Sequence, residues 1–144
     1  MRISELKLGD VVQIDIAVNA SGRFCRVRVI GRMDASEYRA AAARFLEHPG
    51  VSPGIGVVYD LRDAQVSHLT ADDFRAMREV NNSVAPRRGR ARIAFVVPDE
   101  ASYGLARMYE VVGASSNLET HVFSNDAEAE QWVQQPAPAP TGED

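Results

Sequence analysis

Acidic and basic side chains follow the apolar runs that are expected to form buried strands. Asp60, Arg62 and Asp63 come directly after one such run, and Asp99 follows the next. Parallel strands of an open α/β sheet end at a common edge, where ligands usually bind. Carboxylates there could hold a magnesium ion or perform acid–base catalysis. The alternative is ordinary helix chemistry, since acids are favoured in the first turn of a helix, where Asp99 falls.

Several classes of enzyme are excluded by composition. Lys7 is the only lysine, and it precedes the first expected strand. A Schiff-base enzyme, a phosphate-loop nucleotide hydrolase or a receiver domain would need a lysine beside a strand end. The three histidines are scattered and form neither a nucleophilic triad nor a metal-binding set. Neither a metal nor another cofactor is therefore expected.

A single cysteine, Cys25, cannot form an internal disulfide. It lies among apolar residues of an expected strand, which favours an inert core position. The densest basic run holds Arg87, Arg88, Arg90 and Arg92, without an aromatic residue, in a chain of net charge −4. This pattern favours a solvated loop and argues against nucleic-acid binding.

Two alternating runs open the chain with an antiparallel β-hairpin. Val12, Ile14, Ile16 and Val18 share one face, and Cys25, Val27 and Val29 share a face of the next run. A turn centred between Ala20 and Ser21 would pair Ile14 with Val27 and Asp15 with Arg26. This register also places Cys25 opposite Ile16.

Helical and apolar segments alternate after the hairpin. Asp34 and Glu37 resemble a capping box for a first helix, which Pro49 and Gly50 end. The pattern then predicts, in order, a strand over 55–59, a helix from Thr70 to Val84, a basic loop over 86–90, a strand over 91–97, a helix over 99–113, a strand within 119–124 and a helix capped by Asn125. The resulting order is β-β-α-β-α-β-α-β-α, which predicts a mixed α/β sheet of about five strands with about four helices.

The length of 144 residues fits one domain, expected over residues 1–133. The segment from 134 to 144 is rich in proline and alanine and is predicted to be disordered. No run of about 18 apolar residues exists that could span a membrane, and residues 1–10 lack the apolar core of a secretory signal. The chain is therefore expected to be cytoplasmic.

A series of short motifs resembles the SpoIIAA-like group within the sulfate-transporter and anti-sigma-factor-antagonist (STAS) fold. These motifs lie at 57–63, 93–97, 103–110, 122–124 and 127–132. The resemblance covers roughly residues 10 to 133 and implies a mixed sheet with helices packed against it. In the STAS fold, a serine at the start of the helix after the Asp-Leu strand is phosphorylated to control partner binding.

The residue nearest that phosphorylated position is Thr70, and the paired serines of the antagonist proteins are absent. A helix N-terminus favours an added phosphate, but Asp72 and Asp73 in the first turn would repel it. The alternative role for Thr70 is an ordinary helix N-cap.

The helix over 99–113 offers the strongest interaction surface. If Leu105, Met108 and Val112 form its buried stripe, Tyr103, Arg107 and Glu110 share the opposite face. Tyrosine and arginine are enriched at the energetic centres of protein interfaces. This face is therefore the predicted contact with a protein partner or a second copy, although an ion pair on a solvated helix would produce the same pattern.

The sequence favours a non-catalytic regulatory or binding module that acts through protein–protein contacts. The first alternative is a carrier or sensor of a small, lipid-like ligand, with its pocket at the strand ends. The second alternative is an acid–base or metal-dependent enzyme that uses Asp60 and Asp99.

Overall fold

A computed structural model describes residues 13–99, 103–104, 107–108 and 118–135. Its elements are β1 (Gln13–Val18), β2 (Phe24–Arg32), α1 (Ala35–Glu47), β3 (Gly56–Gln65), α2 (Ala71–Arg88), β4 (Ala91–Val96), β5 (Leu118–Phe123) and α3 (Asp126–Val133). These described ranges hold three bounded helices, one fewer than predicted. The missing one is the helix over 99–113, of which only 103–104 and 107–108 are described; their backbone is helical.

The five strands form one sheet in the order β1-β2-β3-β4-β5. β1 pairs with β2 antiparallel, and every later neighbour pairs parallel. The mixed α/β sheet that opens with an antiparallel hairpin is confirmed. β3 is longer than predicted, because its second half, through Gln65, continues to pair with β2.

The predicted register of the hairpin is wrong by two residues. Ile14 pairs with Val29 rather than Val27, and Cys25 lies opposite Val18 rather than Ile16. The cause is a longer loop, in which the Asn19 side-chain oxygen accepts hydrogen bonds from the backbone of residues 23 and 24. Gly22 in that loop has φ = 72°, a conformation that glycine adopts without strain. A shift of two residues leaves each side chain on its predicted face.

The helices begin where their capping residues predict. The backbone N–H of Asp34 donates to the Glu37 carboxylate (3.0 Å), and that of Glu128 donates to the Asn125 side chain (3.0 Å). α2 ends later than predicted: it continues through Pro86 to Arg88, so the predicted loop over 86–90 is largely helical. Proline is accommodated in this last part of the helix, after which Gly89 ends it at φ = 70°.

Two apolar cores lie on opposite faces of the sheet. The larger core packs α1 and α2 against the face that carries Cys25, Val27, Val57 and Ile93. The smaller core lies under α3 and consists of Phe24, Val58, Ala94, Val96, Ala129 and Val133. The charged residues described below lie on the α3 face, beside this smaller core. Within the described ranges, no helix is both long and apolar enough to cross a membrane.

Candidate functional site

A charged cleft of about 600 Å³ lies on the α3 face of the sheet. Its lining residues are Arg26, Arg28, Asp60, Arg62, Asp63, Asp126 and Glu130. Three are cationic and four are anionic at neutral pH, so the cleft carries a formal charge of about −1 (3 − 4).

Strand alternation brings these side chains together. Arg26 and Arg28 are two residues apart on β2, on the face opposite Val27. Asp60 lies on the neighbouring strand β3, in register with Arg28. α3 crosses this face and contributes Asp126 and Glu130, which are four residues apart and therefore on one side of the helix.

Asp60 is the buried centre of the cleft. Arg62 donates to it through Nε (2.9 Å) and Nη2 (2.8 Å), and the Arg62 backbone N–H donates to the same carboxylate (3.2 Å). Arg26 Nη1 lies 3.6 Å from Asp60 Oδ2. The hydrogen bonds from Arg62 lower the pKa of Asp60, outweighing its burial. Asp60 is therefore ionised at neutral pH, and its oxygens already accept hydrogen bonds.

Arg26 joins β2 to α3. Its Nη1 lies 2.8 Å from Asp126 Oδ1, and its Nη2 donates to Glu130 Oε2. Burial disfavours the charged guanidinium, but the contacts with Asp126 and Glu130 prevail and raise the pKa of Arg26. Asp126 Oδ1 is shielded from solvent and accepts no well-aligned hydrogen bond. The positive charge of Arg26 therefore compensates the burial of this negatively charged oxygen.

The outer rim of the cleft is an exposed ion pair. Arg28 Nη2 donates to Asp63 Oδ2 at 2.5 Å, and about half of each side chain is exposed. The hydrogen bond that Arg28 donates to Asp63 raises the pKa of Arg28. Because solvent screens such pairs, this contact contributes little to stability.

The arrangement suits charge pairing better than proton transfer. A general acid or base needs a pKa near the working pH, whereas that of Asp60 is lowered. Each carboxylate of the cleft faces an arginine. Among the described residues, no group of histidine, cysteine, aspartate or glutamate side chains is arranged to hold a metal ion.

Asp60, Arg62 and Asp63 lie together, as their spacing predicts. They lie within β3 rather than beyond its end, since β3 extends to Gln65. Asp99 is exposed and is not among the lining residues of the cleft, so the structure does not bring it together with Asp60 there.

Sequence reasoning did not assign Arg26, Arg28 or Glu130 to this site. Alternation already places the two arginines on the polar face of β2. The contact of Arg26 with Asp126 and Glu130 becomes evident only from the packing of α3 on that face.

Thr70 is the N-cap of α2, as the alternative interpretation held. Its Oγ1 donates to Asp73 Oδ2 (3.0 Å) and accepts from the backbone N–H of Asp73 (3.4 Å). The Asp73 carboxylate also accepts from the Thr70 backbone N–H (2.8 Å). An added phosphate would have to displace this carboxylate, because both are negatively charged.

The predicted contact face is described only in part. Tyr103 and Met108 are both exposed, by 38% and 42%, and Arg107 is exposed as well. Met108 is therefore not a core residue, contrary to the predicted buried stripe. Glu110 lies outside the described residues.

The basic run is not one exposed patch. Arg88 is buried, with its guanidinium 4.6 Å from the centre of the Phe45 ring. Arg92 donates to Glu119 Oε1 (2.8 Å) and to the backbone oxygen of Trp132 (3.2 Å). These two arginines therefore have structural partners within the domain.

Comparison with solved structures identifies the fold. An uncharacterized protein of the DUF3478 family with a SpoIIAA-like fold, from Shewanella loihica PV-4, matches with a TM-score of 0.56 and 13% identity over 85% of this chain and 93% of that chain. An anti-sigma factor antagonist from Mycobacterium paratuberculosis matches with a TM-score of 0.58 and 13% identity over 90% and 100% of the two chains. No protein-family model and no curated protein matches the sequence. The chain has the SpoIIAA-like fold of the STAS type.

Proposed function

We propose that this protein is a non-catalytic regulatory module that binds a protein partner, or a second copy, through the helical segment that contains Tyr103, Arg107 and Met108. The observation that carries the proposal is the exposure of Tyr103 and Met108, the two large apolar side chains exposed among the described residues. Large apolar side chains that one segment leaves exposed can be buried against a partner.

The fold supports a regulatory role, since one structure that it resembles is an anti-sigma factor antagonist. The pairing of the cleft charges supports a non-catalytic role, because each carboxylate there faces an arginine and the pKa of Asp60 is lowered. We extend the proposal to a single domain over residues 1–133 that acts in the cytoplasm.

The surface can be tested by site-specific photocrosslinking in the native host. A photoreactive phenylalanine analogue replaces Tyr103, and the matched control carries it at Arg75, an exposed position on α2. A crosslink to one defined protein, or to a second copy, from position 103 alone would support the proposal. Equal crosslinking from both positions, or none from position 103, would contradict it.

Substitutions then test whether the contact contributes to affinity. Tyr103→Ala and Met108→Ala should each weaken binding of the crosslinked protein by roughly tenfold, as expected for interface side chains that contribute more than 1 kcal/mol. Arg78→Ala on the exposed side of α2 is the control and should leave affinity unchanged. If both substitutions bind like the control, the segment is not the interface.

A lipid-like ligand does not suit the cleft, because charged side chains line it. Native mass spectrometry of protein purified from its host distinguishes a ligand carrier from an interaction module. It reports the number of copies, any retained small molecule and any phosphate on the chain. A retained molecule that is lost on denaturation would favour the carrier.

A further inference from the structure

The apolar contact between α3 and the sheet is small. Ala129 and Val133 of the helix are buried in the smaller core, against a strip of the sheet formed by Phe24, Val58, Ala94 and Val96. Trp132 is partly buried and packs beside them against Phe123 of β5. The core under α1 and α2 is much larger. The helix has only eight residues, and an isolated helix of that length is unstable in water.

Two arginines hold α3 at its two ends. Arg26 of β2 pairs with Asp126 and Glu130 near the start of the helix. Arg92 of β4 donates to the Trp132 backbone oxygen (3.2 Å) and to Gln135 Oε1 (3.0 Å) near its end. The Arg92 guanidinium also lies 4.8 Å from the centre of the Trp132 ring.

The contacts of Arg26 with the helix are accessible to ions. About a quarter of the Arg26 side chain is exposed, and about a third of Asp126 and of Glu130. Partly exposed ion pairs are weakened by salt, whereas apolar burial is not. The attachment of α3 therefore depends on ionic strength more than the attachment of α1 or α2.

We propose that α3 is a latch: it detaches from the sheet as a unit while the five strands stay folded, and the ion pairs of Arg26 control how often it opens. Opening uncovers the strip formed by Phe24, Val58, Ala94 and Val96. The inference does not rest on the proposed interface at Tyr103, since that segment lies outside the latch.

Hydrogen exchange tests the latch directly, because local opening exposes amides at a lower free energy than global unfolding. The amides of α3 should exchange at least about tenfold faster than those of β4, and faster still at 1 M than at 0.05 M NaCl. If α3 and β4 exchange at the same rate at both salt concentrations, α3 opens only with the whole domain and the proposal is wrong.

Matched variants test the role of Arg26. Glu130→Gln removes one ion pair with the helix and Arg26→Gln removes two, those with Asp126 and Glu130. Both should speed exchange in α3 several-fold and leave β4 unchanged, with the larger effect for Arg26→Gln. Arg28→Gln is the control: Arg28 is also on β2, but it pairs with Asp63 of β3. An equal effect of Arg28→Gln and Arg26→Gln would overturn the proposal.

Trp132 provides an independent measurement. It is the only tryptophan of the chain, and its ring contacts Phe123 of β5 and Arg92 of β4, so its fluorescence reports on the contact between α3 and the sheet. In urea, the fluorescence change of Glu130→Gln should precede the loss of far-ultraviolet circular dichroism. Coincident transitions in this variant at high and low salt would contradict the latch.

Discussion

Gly56 of β3 lies directly beneath Val133, the last residue of α3. A Cβ atom on Gly56 would clash with the Val133 backbone oxygen and would stand 3.0 Å from Val133 Cβ and 3.1 Å from its carbonyl carbon. The missing side chain is what allows the end of the helix to reach the sheet.

Gly56→Ala should lower the free energy of unfolding by about 1–3 kcal/mol, as expected when a methyl group is forced into a packed contact. Urea denaturation followed by circular dichroism measures the change. Gly104→Ala is the control, because a Cβ there meets no described atom within 4 Å. Equal changes in the free energy of unfolding for the two substitutions would show that the close contact with Val133 is not the cause of the destabilisation.

The pattern of side chains predicts the faces of the hairpin but not its register. Alternation assigns Ile14 and Val27 to one face, and a two-residue shift preserves that assignment. The register depends on the loop, where the Asn19 side chain accepts backbone hydrogen bonds. Such local bonds compete with the strand ladder and are not visible in hydrophobic periodicity.

Two of the four acids of the candidate site, Asp60 and Asp63, were predicted, and Arg62 was the only predicted base. Asp60 and Asp63 follow an apolar run, which points to a strand in the sheet. Arg26 contacts Glu130 across 104 positions of the chain, and this contact requires α3 to cross that face of the sheet. Periodicity within single elements carries no information on which face a later helix covers.

Asp60→Asn should destabilise the protein at pH 7 by roughly 1–3 kcal/mol, less than for a fully buried pair because Arg26 and Arg62 are partly exposed. The hydrogen bonds from Arg62 lower the pKa of Asp60 in the folded state. Its contribution is therefore complete above the ordinary aspartate pKa of about 4 and is lost as the pH falls through the lowered pKa.

Urea denaturation at pH 7 and at pH 3 tests this dependence. The difference in the free energy of unfolding between wild type and Asp60→Asn should be smaller at pH 3 than at pH 7. Asp63→Asn, at the exposed rim, should change stability by less than about 1 kcal/mol at either pH. A difference for Asp60→Asn that is constant with pH would show that the carboxylate charge does not stabilise the fold.

Cys25 should be unreactive in the folded protein. Burial raises the pKa of its thiol to about 11, so very little thiolate exists at pH 8. A thiol-specific chromogenic disulfide should label it slowly in buffer and rapidly in concentrated urea. Fast labelling in buffer would contradict the buried position.

The same raised pKa should make stability fall at alkaline pH. Unfolded chains lose the thiol proton near pH 8.5, whereas the folded protein keeps it up to about pH 11. The contribution of Cys25 is thus present below pH 8.5 and declines as the pH rises toward 11. Denaturation midpoints between pH 8 and pH 10.5 measure this decline, and Cys25→Ala should show less of it.

Tyr38 ties α1 to α2 inside the larger core. Its hydroxyl donates to Asn81 Oδ1 at 2.8 Å, and both residues are buried. The ring of Tyr38 also stacks on Tyr59 with 5.9 Å between centroids. Tyr38→Phe keeps the ring and removes the hydroxyl, which also forms a hydrogen bond with Tyr59, so a mutant cycle is needed to isolate the bond to Asn81.

Tyr38→Phe should lower the free energy of unfolding by about 1–2 kcal/mol. The reason is that a buried acceptor, Asn81 Oδ1, loses its donor and is no longer compensated for its loss of hydration. Asn81→Ala removes the acceptor, and the double variant completes a mutant cycle. A coupling free energy of roughly 1 kcal/mol between the two positions is expected. Additive effects of the two substitutions would show that the contact between α1 and α2 is apolar packing alone.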